Sequence, residues 1–170
     1  MTTISVGRKL ADFSIQTTDG EFRLSGQRGR NVVIYFYPRD NTPGCTLEGS
    51  DFRDLAPAFL GARTTILGIS TDTLESHHRF RDKMRFPFAL GSDEDHAIAS
   101  RFAVWRRKNM YGRKMMGVER STFLIDAEGI LRQEWRKVRV AGHAAQVLAA
   151  EGELDSVPQG TQRRDGRKKR

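Results

Sequence analysis

The most restrictive feature of this sequence is a short apolar run at residues 31–37, which reads Asn-Val-Val-Ile-Tyr-Phe-Tyr. Its β-branched and aromatic residues do not alternate with polar ones. That pattern predicts a central strand that is buried on both faces of its sheet. A strand of this kind needs a packed layer on each side, so the run predicts an α/β domain in which helices flank a sheet.

The segments on either side of this run provide the other elements. An Asp-Gly pair between two short alternating runs predicts an N-terminal β-hairpin. We predict strands at 13–16, 21–24, 64–70 and 86–90, helices at about 43–60, 73–84, 94–102 and 141–150, a long loop at 103–117, and a second hairpin at 120–126 and 130–137. This order predicts a mixed central sheet with helices on both faces.

One domain accounts for nearly all of the 170 residues. We predict a domain over residues 1–155 and a basic, disordered tail over 156–170. The net charge is +8, but residues 163–170 hold six basic residues and one acidic residue, which leaves +3 on residues 1–162. Such a tail can bind nucleic acid by counterion release, but a flexible, solubilising end is the interpretation we favour.

The N-terminus and the apolar runs both predict a cytoplasmic protein that does not enter a membrane. The first residues lack the basic start, apolar core and small-residue cleavage site of a signal peptide. The longest apolar runs, such as residues 32–37, are too short to cross a bilayer.

The chain has a single cysteine, Cys45. It therefore cannot form an intramolecular disulfide, and a zinc site made of cysteines is excluded as well. Cys45 stands near the start of a predicted helix, where free N–H groups and the helix dipole favour a thiolate, the nucleophilic form of cysteine. The alternative is a buried structural cysteine, because free cysteine is among the most buried residue types.

The residues before Cys45 favour the reactive interpretation. Thr42 is close enough in sequence to place a hydroxyl in the same pocket, and Pro38 and Pro43 restrict the loop and shield it from solvent. A thiolate, a hydroxyl and free N–H groups together suit attack on an O–O bond, since negative charge develops on the leaving oxygen.

These residues resemble a known family. Pro38-x-x-x-Thr42-x-x-Cys45 matches the active-site motif of peroxiredoxins, and the longer Tyr-Pro-x-Asp-x-Thr-Pro-Gly-Cys-Thr-x-Glu run resembles the bacterioferritin-comigratory, or peroxiredoxin Q, subfamily. The segment Arg-Ser-Thr-Phe-Leu-Ile-Asp at 120–126 is similar to the arginine-bearing strand of that subfamily. The resemblance extends over about residues 5–150 and implies a thioredoxin-like fold.

The resemblance also implies a role for each matching residue. Cys45 would be the peroxidatic cysteine, which attacks peroxide and becomes a sulfenic acid. Thr42 would hydrogen-bond the peroxide, and Arg120 would stabilise the thiolate and polarise the peroxide. Pro38 would shape the pocket. The surrounding shell would consist of Pro43, Gly44 and Glu48, with Glu48 orienting an arginine. The implied activity is a thiol-dependent peroxidase of hydrogen peroxide and organic hydroperoxides that needs no metal or other cofactor.

Ser50 departs from the commonest pattern of the subfamily, in which a second cysteine stands five residues after the first. Serine cannot form the resolving disulfide, so the resemblance implies a one-Cys cycle. An outside thiol would then reduce Cys45, whether thioredoxin, a glutaredoxin-like protein or a low-molecular-weight thiol. The resemblance allows a monomer or a homodimer.

Two other functions remain open at this stage. A thiol-disulfide oxidoreductase on the same fold usually needs a C-x-x-C pair, but residues 45–48 read Cys-Thr-Leu-Glu. A redox-sensing or nucleic-acid-associated binding protein would use the basic tail together with residues 105–116, where basic and aromatic residues alternate. We favour a loop beside the active site that packs on the domain or on a second subunit.

The four histidines show no ligand spacing. His77 and His78 are adjacent on a predicted helix and point about 100° apart, so a solvated polar face is favoured over a metal site.

Overall fold

A computed structural model describes residues 4–156. The strands are Ser14–Thr17 (β1), Gly20–Arg23 (β2), Asn31–Phe36 (β3), Thr64–Ser70 (β4), Ala89–Ser92 (β5), Trp105–Met110 (β6), Arg113–Val118 (β7), Ser121–Ile125 (β8) and Leu131–Arg136 (β9). The helices are Pro43–Gly61 (α1), Leu74–Met84 (α2), Ala97–Arg101 (α3) and His143–Ser156 (α4). The basic tail was predicted over residues 156–170, but Ser156 is the last residue of α4. Residues 157–170 lie outside the described residues, so the tail stays a prediction there.

Seven strands form one mixed sheet in the order β2-β1-β5-β4-β3-β8-β9. The central strands β3, β4 and β5 run parallel, because helices α1 and α2 connect them as crossovers. Both predicted hairpins are present and antiparallel, β1 with β2 at one edge and β8 with β9 at the other. The predicted mixed sheet is therefore confirmed.

Strand β3 is buried along its whole length, as the sequence predicts. Its alternate residues enter two different cores, because successive side chains of a strand point to opposite faces. Val32, Ile34 and Phe36 pack in the layer that contains α3. Val33, Tyr35 and the following Tyr37 pack in the layer that contains α1, α2, α4 and Cys45.

The prediction of a long loop at 103–117 is wrong. Residues Trp105–Met110 and Arg113–Val118 pair as an antiparallel ribbon, separate from the large sheet. The connection is Tyr111-Gly112, with positive φ angles of 52° and 76°, as a two-residue hairpin turn of this hand requires. Tyr-Gly is a weaker hairpin signal than Asn-Gly or Asp-Gly, and the flanking basic residues obscure the alternation.

Three other predicted boundaries move. Helix α4 continues to Ser156 rather than ending near residue 150. Helix α3 begins at Ala97 rather than near residue 94, because the carboxylate of Asp93 accepts hydrogen bonds from the backbone of Ile98 and Ala99 and so forms the helix entry. The short strand predicted at 86–90 is instead Ala89–Ser92. Among the described residues, no helix has the length and hydropathy needed to cross a membrane.

The interpretation of His77 as part of a solvated face is wrong. Its side chain points from α2 into the domain and is completely buried. Nε2 lies 2.9 Å from the carbonyl oxygen of Gly91 and so carries a hydrogen, while Nδ1 lies 2.7 Å from Oδ2 of Asp40. Asp40 also accepts hydrogen bonds from Tyr37 at 2.6 Å and Ser76 at 2.8 Å. This network ties the loop that follows β3 to helix α2.

Replacing His77 tests that tie. His77→Ala leaves the buried Asp40 carboxylate without its ring partner, and breaking a buried pair costs about 3 kcal/mol. We expect the free energy of unfolding in urea to fall by about that amount. His78 provides a matched control on the same helix, since its side chain is exposed. His78→Ala should change stability by less than about 0.5 kcal/mol, and equal losses in the two variants would contradict the proposed tie.

Candidate active site

The loop after β3 leads directly into α1. Tyr37 still bonds to β4 through its backbone, and the chain then turns at Asn41, whose φ is 61°. Thr42 is the N-cap of α1 and Pro43 its first residue, a position where the missing N–H of proline costs nothing. Cys45 therefore lies in the first turn, where backbone N–H groups have no partner within the helix.

Arg120 reaches Cys45 from the neighbouring strand. Strand β8 runs antiparallel to β3, with Ser121 paired to Phe36, so Arg120 lies beside the point where β3 ends and the loop begins. Its Nη2 donates a hydrogen bond to Sγ of Cys45 at 3.3 Å. Cys45 is only 2% exposed, which leaves this contact largely shielded from water. The expected pairing of Arg120 with the sulfur is present in the structure.

Glu48 occupies the other side of the same guanidinium. Its Oε1 accepts a hydrogen bond from Nη1 of Arg120 at 2.5 Å, and its side chain is 1% exposed. Burial raises the pKa of Glu48 to about 7, although Arg120 opposes that rise. Oε2 of Glu48 has no hydrogen-bond partner among the described residues. Burial alone would lower the pKa of Arg120, but Glu48 and Cys45 outweigh it and raise that pKa.

Gly44 makes this approach possible. A Cβ built on Gly44 would lie 3.2 Å from Nη2 of Arg120, which is tighter than ordinary van der Waals contact. A side chain there would push the guanidinium away from the sulfur. The position of Gly44 in the predicted shell thus has a geometric reason.

The remaining predicted residues lie around this centre. Thr42 is half-buried, and its hydroxyl donates a hydrogen bond to the carbonyl of Arg39 at 3.0 Å. The Thr42 oxygen accepts no capping hydrogen bond from the N–H groups of the helix start. Pro38 is half-buried in the loop, while Pro43 is exposed. Ser50 lies five residues beyond Cys45 on α1 and is half-buried.

Sequence reasoning missed Lys108. It lies on β6, is half-buried and donates from Nζ to the carbonyl of Val118 at 2.5 Å. Burial lowers the pKa of Lys108 and the nearby charge of Arg120 lowers it further, while Glu119 and Cys45 act in the opposite direction. The prediction placed residues 105–116 in a loop beside the active site, but a loop has no periodicity that would single out Lys108.

The buried network around His77 also contains a set of metal-ligand atoms. Within residues 4–156, atoms of Asp40, Asp72 and His77 lie within 4.8 Å of one another. Each already has hydrogen-bond partners, and Oδ2 of Asp72 accepts from the Asp40 backbone at 2.8 Å and from Ser70 at 2.6 Å. The 2.7 Å contact between His77 and Asp40 leaves no space for an ion between them. The group is accounted for as a structural tie.

The site as a whole can stabilise an anionic sulfur and the negative charge that an attack by that sulfur produces. The guanidinium of Arg120 contacts Cys45, which lies in the first turn of α1 among N–H groups without helical partners. The sulfur is shielded from water, and donors act most strongly in such surroundings.

Comparison with known proteins agrees with this chemistry. The sequence profile of the AhpC/TSA family matches residues 6–134. The chain belongs to the AhpC/TSA family. The Peroxiredoxin Bcp of Bacillus subtilis is 46% identical over 147 residues, which cover 86% of this chain and 94% of that protein. The Peroxiredoxin Bcp of Xanthomonas campestris is 54% identical over 127 residues, or 75% of this chain and 79% of that protein.

Solved structures place this peroxiredoxin in the same subfamily. The bacterioferritin comigratory protein of Xanthomonas campestris gives a TM-score of 0.80 at 48% identity, covering 84% of this chain and 91% of that chain. A cysteine variant of PrxQ from Xylella fastidiosa gives a TM-score of 0.85 at 36% identity, covering 91% and 99%. The expected thioredoxin-like fold and the resemblance to peroxiredoxin Q are both confirmed.

Removing Arg120 tests its effect on the sulfur. Its Nη2 donates to Sγ of Cys45, so its loss removes the donor that stabilises the negative charge of the attack. We expect Arg120→Ala to slow the oxidation of Cys45 by hydrogen peroxide, measured in a single turnover, by about 100-fold. Arg132→Ala is the control and should react at the wild-type rate, since Arg132 pairs with the buried Asp126 at the far end of β8. An unchanged rate in Arg120→Ala would exclude Arg120 as the partner of the reacting sulfur.

Glu48 makes stability depend on pH. In the folded protein the pKa of Glu48 is about 7 against an ordinary 4.5, so the folded state retains a proton that the unfolded state releases. The corresponding stability is complete below pH 4.5 and is lost as the pH rises through about 7. We expect the wild type to lose roughly 2–3 kcal/mol over this range relative to Glu48→Gln. Glu75→Gln, at an exposed site on α2, should show the wild-type pH dependence.

Proposed function

We propose that this peroxiredoxin is a thiol-dependent peroxidase that reduces hydrogen peroxide and organic hydroperoxides. The observation that carries the proposal is the 3.3 Å contact between Arg120 and the only cysteine of the chain, at the start of α1. The Xanthomonas campestris relative has alkyl peroxide reduction activity, which supports organic hydroperoxides as substrates.

In the first step the Cys45 thiolate attacks one oxygen of the peroxide. An S–O bond forms as the O–O bond breaks, and the leaving oxygen departs as water or an alcohol once it has taken a proton. Arg120 stabilises the thiolate before attack and the developing charge afterwards. Because the Thr42 hydroxyl hydrogen is already donated to Arg39, we assign Thr42 as the acceptor of the peroxide O–H. Pro38, Pro43 and Gly44 shape the pocket, and Glu48 orients the guanidinium.

The second step requires an outside thiol. The sulfenic acid on Cys45 cannot form an intramolecular disulfide, since the chain has one cysteine and Ser50 stands at the usual resolving position. The same fact removes the C-x-x-C chemistry of a thiol-disulfide oxidoreductase. We propose a one-Cys cycle in which thioredoxin, a glutaredoxin-like protein or a low-molecular-weight thiol reduces Cys45.

The surroundings of the enzyme follow from that cycle. A steady supply of reduced thiol is found in the cytosol, so we propose the cytoplasm as its compartment. We propose residues 1–155 as the catalytic domain, acting as a monomer or a homodimer. Any binding of nucleic acid by residues 163–170 would be additional to the peroxidase activity.

Replacing the cysteine tests the mechanism directly. We expect Cys45→Ser to abolish peroxide consumption, with each candidate thiol as reductant, while its unfolding curve stays close to that of the wild type. Ser50→Ala serves as the control on the same helix and should retain activity. The mass of the oxidised wild type, measured in parallel, should show a mixed disulfide with the effective thiol. Substantial turnover by Cys45→Ser would exclude the mechanism.

A further inference from the structure

The ribbon of β6 and β7, Trp105–Val118, projects from the domain, and we refer to it as the basic hairpin. Its base is anchored by the buried Val118 and by Trp105, whose ring stacks on His96 at 4.2 Å between centroids. Its far end is in solvent, with Tyr111 98%, Met115 53% and Met116 47% exposed. Within residues 4–156, these two strands pair only with each other. These three residues therefore do not pack on their own domain, and packing on a second subunit, the other expected arrangement, stays a prediction.

The charge of the basic hairpin is of one sign. Its 14 residues include five basic and no acidic ones. Residues 1–162 together carry only +3, so the rest of the domain has a net negative charge. The exposed groups of the basic hairpin are mainly arginine, lysine, methionine and tyrosine. Arginine, methionine and aromatic residues are those enriched in protein–protein interfaces.

The basic hairpin is continuous with the active site. Lys108 donates from Nζ to the carbonyl of Val118, which stands two residues before Arg120 in the chain. The charges of Arg120 and Cys45 both act on the pKa of Lys108, which burial lowers and Arg120 lowers further. Lys108 pairs with Met115 across the ribbon. Directly opposed residues lie on the same face of an antiparallel pair, so Lys108 and Met115 share one face of the ribbon. Met115 is the more exposed of the two and continues that face into solvent.

The proposed one-Cys cycle needs a partner at this place. A thiol of the partner attacks the sulfur of the Cys45 sulfenic acid, so that an S–S bond forms, the S–O bond breaks and water leaves. The second thiol of the partner then attacks the partner's first sulfur, which is bonded to Cys45 in the mixed disulfide. The bond to Cys45 breaks and Cys45 leaves as a thiolate. The two thiols of the partner end as a disulfide, so they supply the two electrons that reduce the sulfenic acid.

We propose that the basic hairpin is the docking surface for the reductant, and that this reductant is a dithiol protein with acidic and apolar residues around its reactive cysteine. The inference rests on the proposed function and adds the partner's surface chemistry. Charge complementarity argues for an acidic partner. Two basic hairpins would repel each other, which argues against a symmetric contact between copies. A nucleic acid would match the charge but has no thiol for the adjacent Cys45.

Reversing two exposed charges of the basic hairpin tests the proposal. Arg113→Glu/Lys114→Glu changes the start of β7, where both side chains are exposed. The matched control is Arg8→Glu/Lys9→Glu, also an exposed arginine–lysine pair. The carbonyl of Arg8 accepts a hydrogen bond from the N–H of Leu131, which pairs with Ile125 at the C-terminal end of β8. This end of the sheet is opposite to the end that carries Cys45. The probes are a thioredoxin of net negative charge and the small neutral dithiol dithiothreitol, each with hydrogen peroxide as substrate.

We expect the hairpin variant to lose about tenfold in kcat/KM for the thioredoxin, mainly through KM, and to show a weaker dependence on salt. The control should stay within about twofold. Turnover with dithiothreitol and the rate of Cys45 oxidation in a single turnover should be unchanged in both.

Three results would contradict the proposed docking surface. The first is an unchanged kcat/KM for the thioredoxin in the hairpin variant, and the second is an equal loss of turnover with dithiothreitol. The third is a hairpin variant in which only nucleic-acid binding or the oligomeric state changes. Failure of the proposed function would look different, because wild-type Cys45 would then not be oxidised by peroxide at all.

Discussion

The geometry of the site depends on the two hydrogen bonds that the guanidinium of Arg120 donates. The guanidinium binds Sγ of Cys45 with one nitrogen and a carboxylate oxygen of Glu48 with another. The cysteine and the glutamate are three residues apart on α1, so both face the same side of the helix. Without a cation between them, a thiolate and a carboxylate would be buried as unpaired like charges, which costs several kcal/mol for each ion. A planar fork with separate donors suits this position, and an ammonium does not.

The strands and the helix that bring these three residues together are also needed to form the hydrophobic cores of the domain. Strand β3 is at the centre because its residues fill cores on both faces, and β8 pairs with it to complete the sheet. The loop between β3 and α1 is held to helix α2 by the buried contact between Asp40 of the loop and His77 of the helix. The chemistry therefore lies where a rigid sheet, a helix start and a tied loop meet, which limits how far the sulfur and its cation can separate.

The sequence alone predicts this site better than it predicts its surroundings. Residues 31–37 identify the central strand by pattern, and the run that ends at Cys45 carries local signals for a helix start. Arg120 was assigned only through the family resemblance, because it lies 75 residues from Cys45 in the sequence. Its approach depends on the pairing of β8 with β3, for which the local sequence gives no signal. The burial of His77 depends on a similar long-range contact with Asp40, for which helical periodicity gives no signal. The basic hairpin was missed because its charged residues hide the alternation of a strand.

The pairing of Phe36 with Ser121 has a wider consequence. The register of a sheet changes only in whole residues, and a shift of one residue turns every side chain to the opposite face. Arg120 directly precedes the first paired residue of β8, so the register of the two strands determines where its guanidinium lies. That position can change only in steps of one residue. Substitutions that repack the core while preserving the ladder leave the arginine in place, whereas a single slipped pair would remove it entirely. The presence of the cation beside the sulfur is in this sense all-or-none, and it is determined by the backbone pairing of β3 with β8.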